Sequence, residues 1–107
     1  MNDPIVTLEV VAVFERSKEV EITVRIGRAA AQGDAWMCPV ELAPVYAQPM
    51  QVKGVDAFHA TWLACSLVLK LLGQLKQEGA ALRTAEGSEF PVDAYLAGLG
   101  GGDAAGG

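Results

Sequence analysis

The sequence predicts an α+β fold in which one long helix covers one face of an antiparallel sheet of three or four strands. Two observations lead to this expectation. Residues 19–28 alternate between apolar and polar side chains, which is the pattern of a half-buried strand. Residues 55–78 repeat apolar side chains at helical spacing between a capping residue and a glycine. Their positions in the chain predict the element order β-β-β-α-β, because a sheet and a helix bury their apolar sides against each other.

The helix predicted over residues 55–78 has both a start and a stop signal. Asp56 is expected to be the N-cap, because its carboxylate can accept hydrogen bonds from the free amides of the first turn. Gly79 follows the last periodic residue, where a residue without a Cβ most easily adopts the left-handed conformation that ends a helix. Lys76 in the last turn complements the negative end of the helix dipole.

The apolar residues of this helix define the face that is expected to cover the sheet. That face consists of Phe58, Cys65, Val68, Leu69, Leu72 and Leu75, with Ala57, Ala64 and Leu71 at its edges. The opposite, polar face consists of Asp56, His59, Ser66, Lys70, Gln74 and Gln77.

Two large leucines lie outside the apolar face, among the polar residues. Leu63 and Leu67 are four residues apart and therefore stack on one side of the helix, with Trp62 beside them. Either a loop or the C-terminal segment covers them, or they form a contact surface for a second chain, since apolar clusters rimmed by polar groups mark interfaces. The interaction surface predicted from this pattern consists of Trp62, Leu63, Leu67, Lys70 and His59.

Three strands are predicted before the helix and a short element after it. Residues 5–14, rich in valine, form a central strand that pairs with residues 19–28 as an antiparallel hairpin. The third strand covers residues 36–43, where Pro39 cannot donate to a ladder and therefore places the strand at a sheet edge or at a bulge. Residues 80–85 either form a short strand or cover the helix end.

Length and composition bound the remaining possibilities. Residues 1–97 are predicted to form a single domain, and residues 98–107, with six glycines, a flexible tail. The net charge of −5 argues against a nucleic-acid surface, which needs clustered lysine and arginine. The apolar fraction of 51% favours burial of surface in an oligomer or against a partner.

The N-terminus lacks the pattern of a signal peptide. A membrane span is not expected, because His59 and Lys70 interrupt the longest apolar run. Cys38 and Cys65 are expected to be free thiols in or near the core, as in a reducing compartment. The expectation is a soluble cytoplasmic protein.

Candidate catalytic groups are few. His59 is the only histidine and lies three residues after Asp56, so it is either a carboxylate-paired general base or part of a helix-start contact. Cys65 is expected to face the core together with Cys38, and buried cysteines are usually inert. Two thiols and one distant imidazole do not supply the four ligands of structural zinc. No metal, cofactor or catalytic motif is therefore predicted.

Three segments resemble a group of short uncharacterised bacterial proteins that share a domain of unknown function. They are Gly-Asp-Ala-Trp-Met-Cys-Pro-Val at residues 33–40, Gly-Val-Asp-Ala at residues 54–57, and Glu-Gly with Phe-Pro within residues 86–91. In the pattern of that group tryptophan follows Gly-Asp directly, whereas Ala35 lies between them here. The resemblance implies a bacterial origin and strands followed by a helix, and it implies no activity and no site.

Two functional hypotheses follow. The first is a non-enzymatic protein–protein interaction module that acts as a homodimer; a narrower form is an acidic protein that neutralises a basic partner, as immunity proteins and antitoxins do. The alternative is a small-molecule-binding protein or enzyme with a pocket between the helix and the strands, using His59, Asp56 and a cysteine. A fast-reacting thiol would favour the alternative.

Overall fold

A long antiparallel hairpin lies at the centre of the sheet. The computed structural model describes residues 3–15 and 18–97, and its strands and helix are β1 (Val6–Phe14), β2 (Lys18–Ile26), β3 (Ala30–Gln32), β4 (Ala35–Ala43), β5 (Met50–Gly54), α1 (Ala57–Gln77) and β6 (Ala81–Thr84). Residues 92–97 are also helical. The hairpin of β1 and β2 pairs Val6 with Ile26 and Phe14 with Lys18, as the alternating sequence predicts. The predicted tail, residues 98–107, lies outside the described residues.

The sheet has six strands rather than the predicted three or four. Its order is β3-β4-β2-β1-β6, and β5 pairs with the other side of β4. The α+β class, the antiparallel sheet and the single long helix are confirmed, whereas the strand number and the order β-β-β-α-β are wrong. The missed strands, β3 and β5, are three and five residues long. Neither strand is long enough for alternation to identify it in the sequence. Both are ordered by pairing with β4.

Pro39 does not lie at an edge of the sheet. β4 has β5 on one side and β2 with β3 on the other, because β3 and β5 pair with the same stretch of β4. Pro39 has no N–H to donate, and it lies opposite residues 27–29, the break that separates β2 from β3 on this side of β4. There the Gly27 N–H donates to the Pro39 carbonyl oxygen at 2.9 Å. The expected edge position is therefore wrong, and the interruption falls in the strand beside Pro39.

The helix covers the sheet with small and medium side chains. The line of buried residues on this face is spaced four apart: Ala60, Ala64, Val68 and Leu72. Phe58, expected on this face, is instead 81% exposed, and Ser66, expected on the polar face, is buried. The cause is the close approach of the helix to β5, where a Cβ on Gly54 would meet Ala60. Small side chains must face the sheet at that point, and the larger Phe58 turns outward.

The chain returns to the core after the helix, and residues 80–85 contain a short strand, which was one of their two predicted forms. β6 pairs with β1, so that Ala12 lies opposite Leu82. Phe90 and Val92 are buried in the same core as the central strands. The ring of Phe90 stacks on Tyr95 with centroids 5.4 Å apart. The C-terminal segment therefore completes the layer that the helix begins.

The helix α1 is long and apolar enough to cross a bilayer by length and composition alone, which the interrupting His59 and Lys70 were expected to prevent. The core helix of a soluble protein passes the same test. Here α1 packs on β4 and β5 to a similar extent and less on the other strands.

Candidate interaction surface

Three exposed apolar side chains lie at the start of α1, and we call them the helix patch. Val55 is 75% exposed, Phe58 81% and Trp62 45%. Phe58 and Trp62 are four residues apart, so they lie on the same side of the helix. Single exposed apolar residues are ordinary on protein surfaces, but two aromatic rings beside a valine are typical of a site of protein contact.

Asp56 fixes the start of the helix, as predicted. Its Oδ1 accepts a hydrogen bond from the His59 backbone N–H at 2.7 Å. In the other direction, the His59 Nδ1 accepts a hydrogen bond from the Val55 backbone N–H at 3.0 Å. These reciprocal bonds resemble a capping box, in which side chains satisfy the free amides of the first turn. They also hold Val55 against the helix and thereby position the helix patch.

The same hydrogen bonds bear on the general-base interpretation of His59. The bond to the Asp56 carboxylate comes from the His59 backbone and leaves the imidazole out. The Nδ1 atom is already engaged as the acceptor of the Val55 amide. The arrangement matches the helix-start contact, which was the other interpretation of this pair.

The residues of the predicted interaction surface lie on two sides of α1. Trp62 and Lys70 are exposed, whereas Leu63, Leu67 and His59 are half-buried. Successive helical residues are rotated by about 100°, which places the two leucines well away from the helix patch. We call Leu63 and Leu67 the leucine strip. The helix patch and the leucine strip are therefore separate candidates for contact.

Val55 and Phe58 are exposed residues that the hydrophobic pattern did not indicate. The pattern placed Phe58 in the core because it weighs side chains by apolarity alone. A second signal is present in the sequence: Gly54, Ala60 and Ala64 are small residues at positions where a helix can approach a strand closely. Taking that line as the buried face turns Phe58 outward, as the structure has it.

The C-terminal segment covers the outer side of α1 in its second half. Asp93 forms an ion pair with Lys76, and this contact raises the pKa of the Lys76 ammonium group. Leu96 lies against Gly73, where its Cδ1 would be 2.9 Å from an added Cβ. The helix patch lies toward the other end of α1 and stays open to solvent.

Both cysteines are free and sit at the interface of helix and sheet. Cys38 is fully buried, and its Sγ donates to the Gly27 carbonyl oxygen at 3.3 Å. Burial raises the pKa of the Cys38 thiol; a hydrogen bond with Thr61 opposes this shift, and the proximity of Cys65 adds to it. Burial also raises the pKa of Cys65. Both groups are therefore favoured as thiols, the unreactive form.

One surface cavity is lined by none of these groups. It has a volume of about 490 Å³ and lies between the end of α1 and β6, lined by Lys76, Gly79, Ala80, Ala81, Leu82, Arg83, Glu89 and Phe90. It contains neither of the cysteines, nor His59 or Asp56. Within residues 3–15 and 18–97, no three histidine, cysteine, aspartate or glutamate side chains come together as a metal site.

A family model described as Domain of unknown function (DUF6968) matches residues 9–92, which is most of the chain. The matched range includes the helix, the helix patch and all the strands except the beginning of β1. Searches of curated proteins and of solved structures found no match.

Proposed function

The chain belongs to the family of the domain of unknown function DUF6968, and we propose that it is a non-enzymatic protein–protein interaction module that acts as a homodimer. The observation that carries the proposal is the exposure of Phe58 beside Val55 and Trp62. Burying a large apolar side chain gains about 2 kcal/mol relative to leaving it in water, so a patch of this kind favours association. Aromatic residues are also the commonest anchors of protein interfaces.

The proposed partner of the helix patch is a basic protein. The chain carries a net charge of −5, which attracts a positively charged surface and speeds encounter with it. In the narrower form of the proposal, binding neutralises a basic toxin or effector, as immunity proteins and antitoxins do. As part of the same proposal, the protein is a soluble cytoplasmic protein of bacterial origin.

The test compares proteins recovered with the tagged wild-type chain and with Phe58→Ser from the cells in which it occurs. Ile5→Ser is the matched control, since Ile5 is an exposed apolar residue immediately before β1 and is not part of the helix. We expect one basic chain to accompany the wild type and Ile5→Ser and to be depleted at least about tenfold with Phe58→Ser. All three proteins should unfold at similar temperatures, because Phe58 contributes little to the core.

The recovered chain is then purified and its affinity measured at low and high salt. An affinity that weakens with salt and falls with Phe58→Ser supports a basic partner at the helix patch. Equal recovery of the same chains with Phe58→Ser and wild type contradicts it. A partner whose affinity is independent of salt removes the narrower, charge-driven form.

A further inference from the structure

The edge strands of the sheet differ in whether their outer side is hydrogen-bonded. The outer side of β6 is occupied by the chain that follows it: Thr84 donates its N–H to the Ser88 oxygen at 2.7 Å, and Phe90 donates to the Leu82 oxygen at 2.9 Å. β5 pairs with β4 on one side, and no described residue pairs with its other side. β3 also has a free side but is only three residues long. The main unpaired edge among the described residues is therefore β5.

The register of β4 and β5 determines which backbone groups this edge offers. Pro39 directs its carbonyl oxygen toward Gly27, away from β5. Gln51 lies opposite Pro39 in the β4–β5 ladder, so these two residues form a pair without mutual hydrogen bonds. Gln51 therefore points its N–H and C=O outward, and so does Lys53, two residues on. The free edge presents two donors and two acceptors.

We propose that β5 pairs antiparallel with β5 of a second copy of the chain, about a two-fold axis at Val52. In this register Gln51 and Lys53 of each copy exchange hydrogen bonds with Lys53 and Gln51 of the other, which uses all four outward groups of each edge. Val52 faces its own copy, and Met50 faces Gly54. Lys53, the only charged residue of β5, meets an uncharged glutamine rather than another lysine.

The position of α1 above β5 supports this pairing. Ala60 lies against Gly54 of β5, whereas the Thr61 side chain lies close to Cys38 of β4. The rotation about the helix axis from Thr61 to Ala60 therefore leads from β4 toward β5.

The leucine strip follows in the same direction of rotation. At about 100° per residue, Leu67 lies roughly 20° and Leu63 roughly 60° beyond Ala60. The strip therefore lies on the side of the helix that faces the free edge of β5. Both leucines are half-buried in a single chain, and a second helix beside them would complete their burial.

The spacing of the two helices is also suitable. Paired strands lie about 4.8 Å apart, and α1 packs on β4 and β5 to a similar extent. A helix centred between β4 and β5 lies roughly 5 Å from the proposed two-fold axis, so the two helices are roughly 10 Å apart. Packed helices have axes 8–10 Å apart. One two-fold axis thus joins the sheets and brings the leucine strips together, and it leaves both helix patches free.

This inference specifies the interface of the proposed homodimer, and its test is the mass of the full chain in solution by light scattering and sedimentation. Gln51→Lys places a lysine opposite Lys53 of the second copy, on the sheet face that α1 does not cover. We expect the wild type to be a dimer and Gln51→Lys to raise its dissociation constant about tenfold, since the repulsion occurs twice. The double variant Gln51→Lys with Lys53→Glu places a lysine opposite a glutamate across the axis and should restore the dimer.

Leu63→Glu tests the helix side of the same interface and should also weaken the dimer. Hydrogen exchange measures the protection of the β5 amides directly. The amides of Gln51 and Lys53 are expected to be protected in the wild type and to exchange rapidly in Gln51→Lys. A wild type that stays monomeric at high protein concentration overturns the inference. So does a dimer that tolerates Gln51→Lys and dissociates with Phe58→Ser. Binding of a basic partner through Phe58 is measured separately and can hold in either case.

Discussion

Gly54 on β5 and Ala60 on α1 are in direct backbone contact: a Cβ on Gly54 would lie 2.4 Å from the Ala60 nitrogen and 2.7 Å from its Cα. Only a hydrogen atom fits between the backbone of β5 and the backbone of α1 at this point. The contact fixes the height of the helix above the sheet where the helix begins. It also explains why an alanine rather than the neighbouring Phe58 faces the sheet there.

Gly54→Ala is expected to lower the free energy of unfolding by about 3 kcal/mol, because the added methyl group meets backbone atoms that cannot move aside. Gly73→Ala is the matched control, since its Cβ would meet only the flexible tip of Leu96. Alanine is also the better helix former by up to about 1 kcal/mol, so this variant should stay within about 1 kcal/mol of the wild type. Urea unfolding followed by circular dichroism measures both.

Removing the methyl group of Ala60 should not rescue Gly54→Ala, because the nearest obstacles are the nitrogen and Cα of that residue. The described contact would be contradicted if Gly54→Ala and Gly73→Ala lowered the free energy of unfolding equally. It would also be contradicted if Ala60→Gly fully restored the stability of Gly54→Ala.

Asp56→Ala should cost about 1 kcal/mol of stability, the usual value of an N-cap side chain. The reason is the loss of the acceptor for the His59 N–H. Asp56→Asn keeps an oxygen in the same place and should cost less than half as much. Thermal unfolding of the three proteins at neutral pH provides the comparison. If the asparagine variant is as unstable as the alanine variant, the carboxylate charge rather than the hydrogen bond stabilises the helix start.

Both thiols should react slowly with a disulfide reagent in the folded protein at neutral pH, and Cys65 should react before the fully buried Cys38. Burial raises the pKa of each, which reduces the thiolate fraction. The unfolded protein, with ordinary cysteine pKa values, is the reference and should react at once. A fast thiol in the native state contradicts this description and restores the enzyme hypothesis.

The raised pKa values of Cys38 and Cys65 also make the free energy of unfolding depend on pH in the alkaline range. A group whose pKa is higher in the folded than in the unfolded state contributes stability that is fully present below the unfolded pKa. That contribution is lost as the pH rises through the folded value. The unfolded pKa of cysteine is about 8.5, so stability should fall above that pH, and a variant with Cys38→Ala and Cys65→Ala should lack this part of the fall.

The sequence predicted the elements whose information is local. The hairpin of β1 and β2 follows from the alternation in residues 19–28 and the valine-rich run in residues 5–14, and the helix follows from its period and from Asp56. β3 and β5 carry too few residues to identify themselves, and their pairing with β4 depends on chain segments that come together only in the fold. Pro39 likewise suggested an edge because the break at residues 27–29, which accommodates it, is a property of another strand.

The candidate surface was predictable only in part for a related reason. Trp62 was included because it lies beside Leu63 and Leu67, at the boundary of the apolar face that the pattern predicted. Phe58 was placed in the core because apolarity alone does not register how closely two backbones approach, and that depends on Gly54 and Ala60 together. Leu63 and Leu67 were recognised as outside the core face, but the strand beside which they lie is β5, which the sequence did not reveal.

The pairing of β4 with both earlier and later strands has a consequence for the order of folding. β3 and β4 are joined across Gly33 and Asp34 alone, with Gly33 at a φ of 62°, and β5 and α1 follow within the next part of the chain. β6 instead meets β1 from the far end of the sequence, where Val13 pairs with Ala81. Short loops close at less entropic cost than long ones. We therefore expect the hairpin of β1 and β2 and the chain around β4 to condense before β6, which closes the opposite side of the sheet, pairs last and opens first.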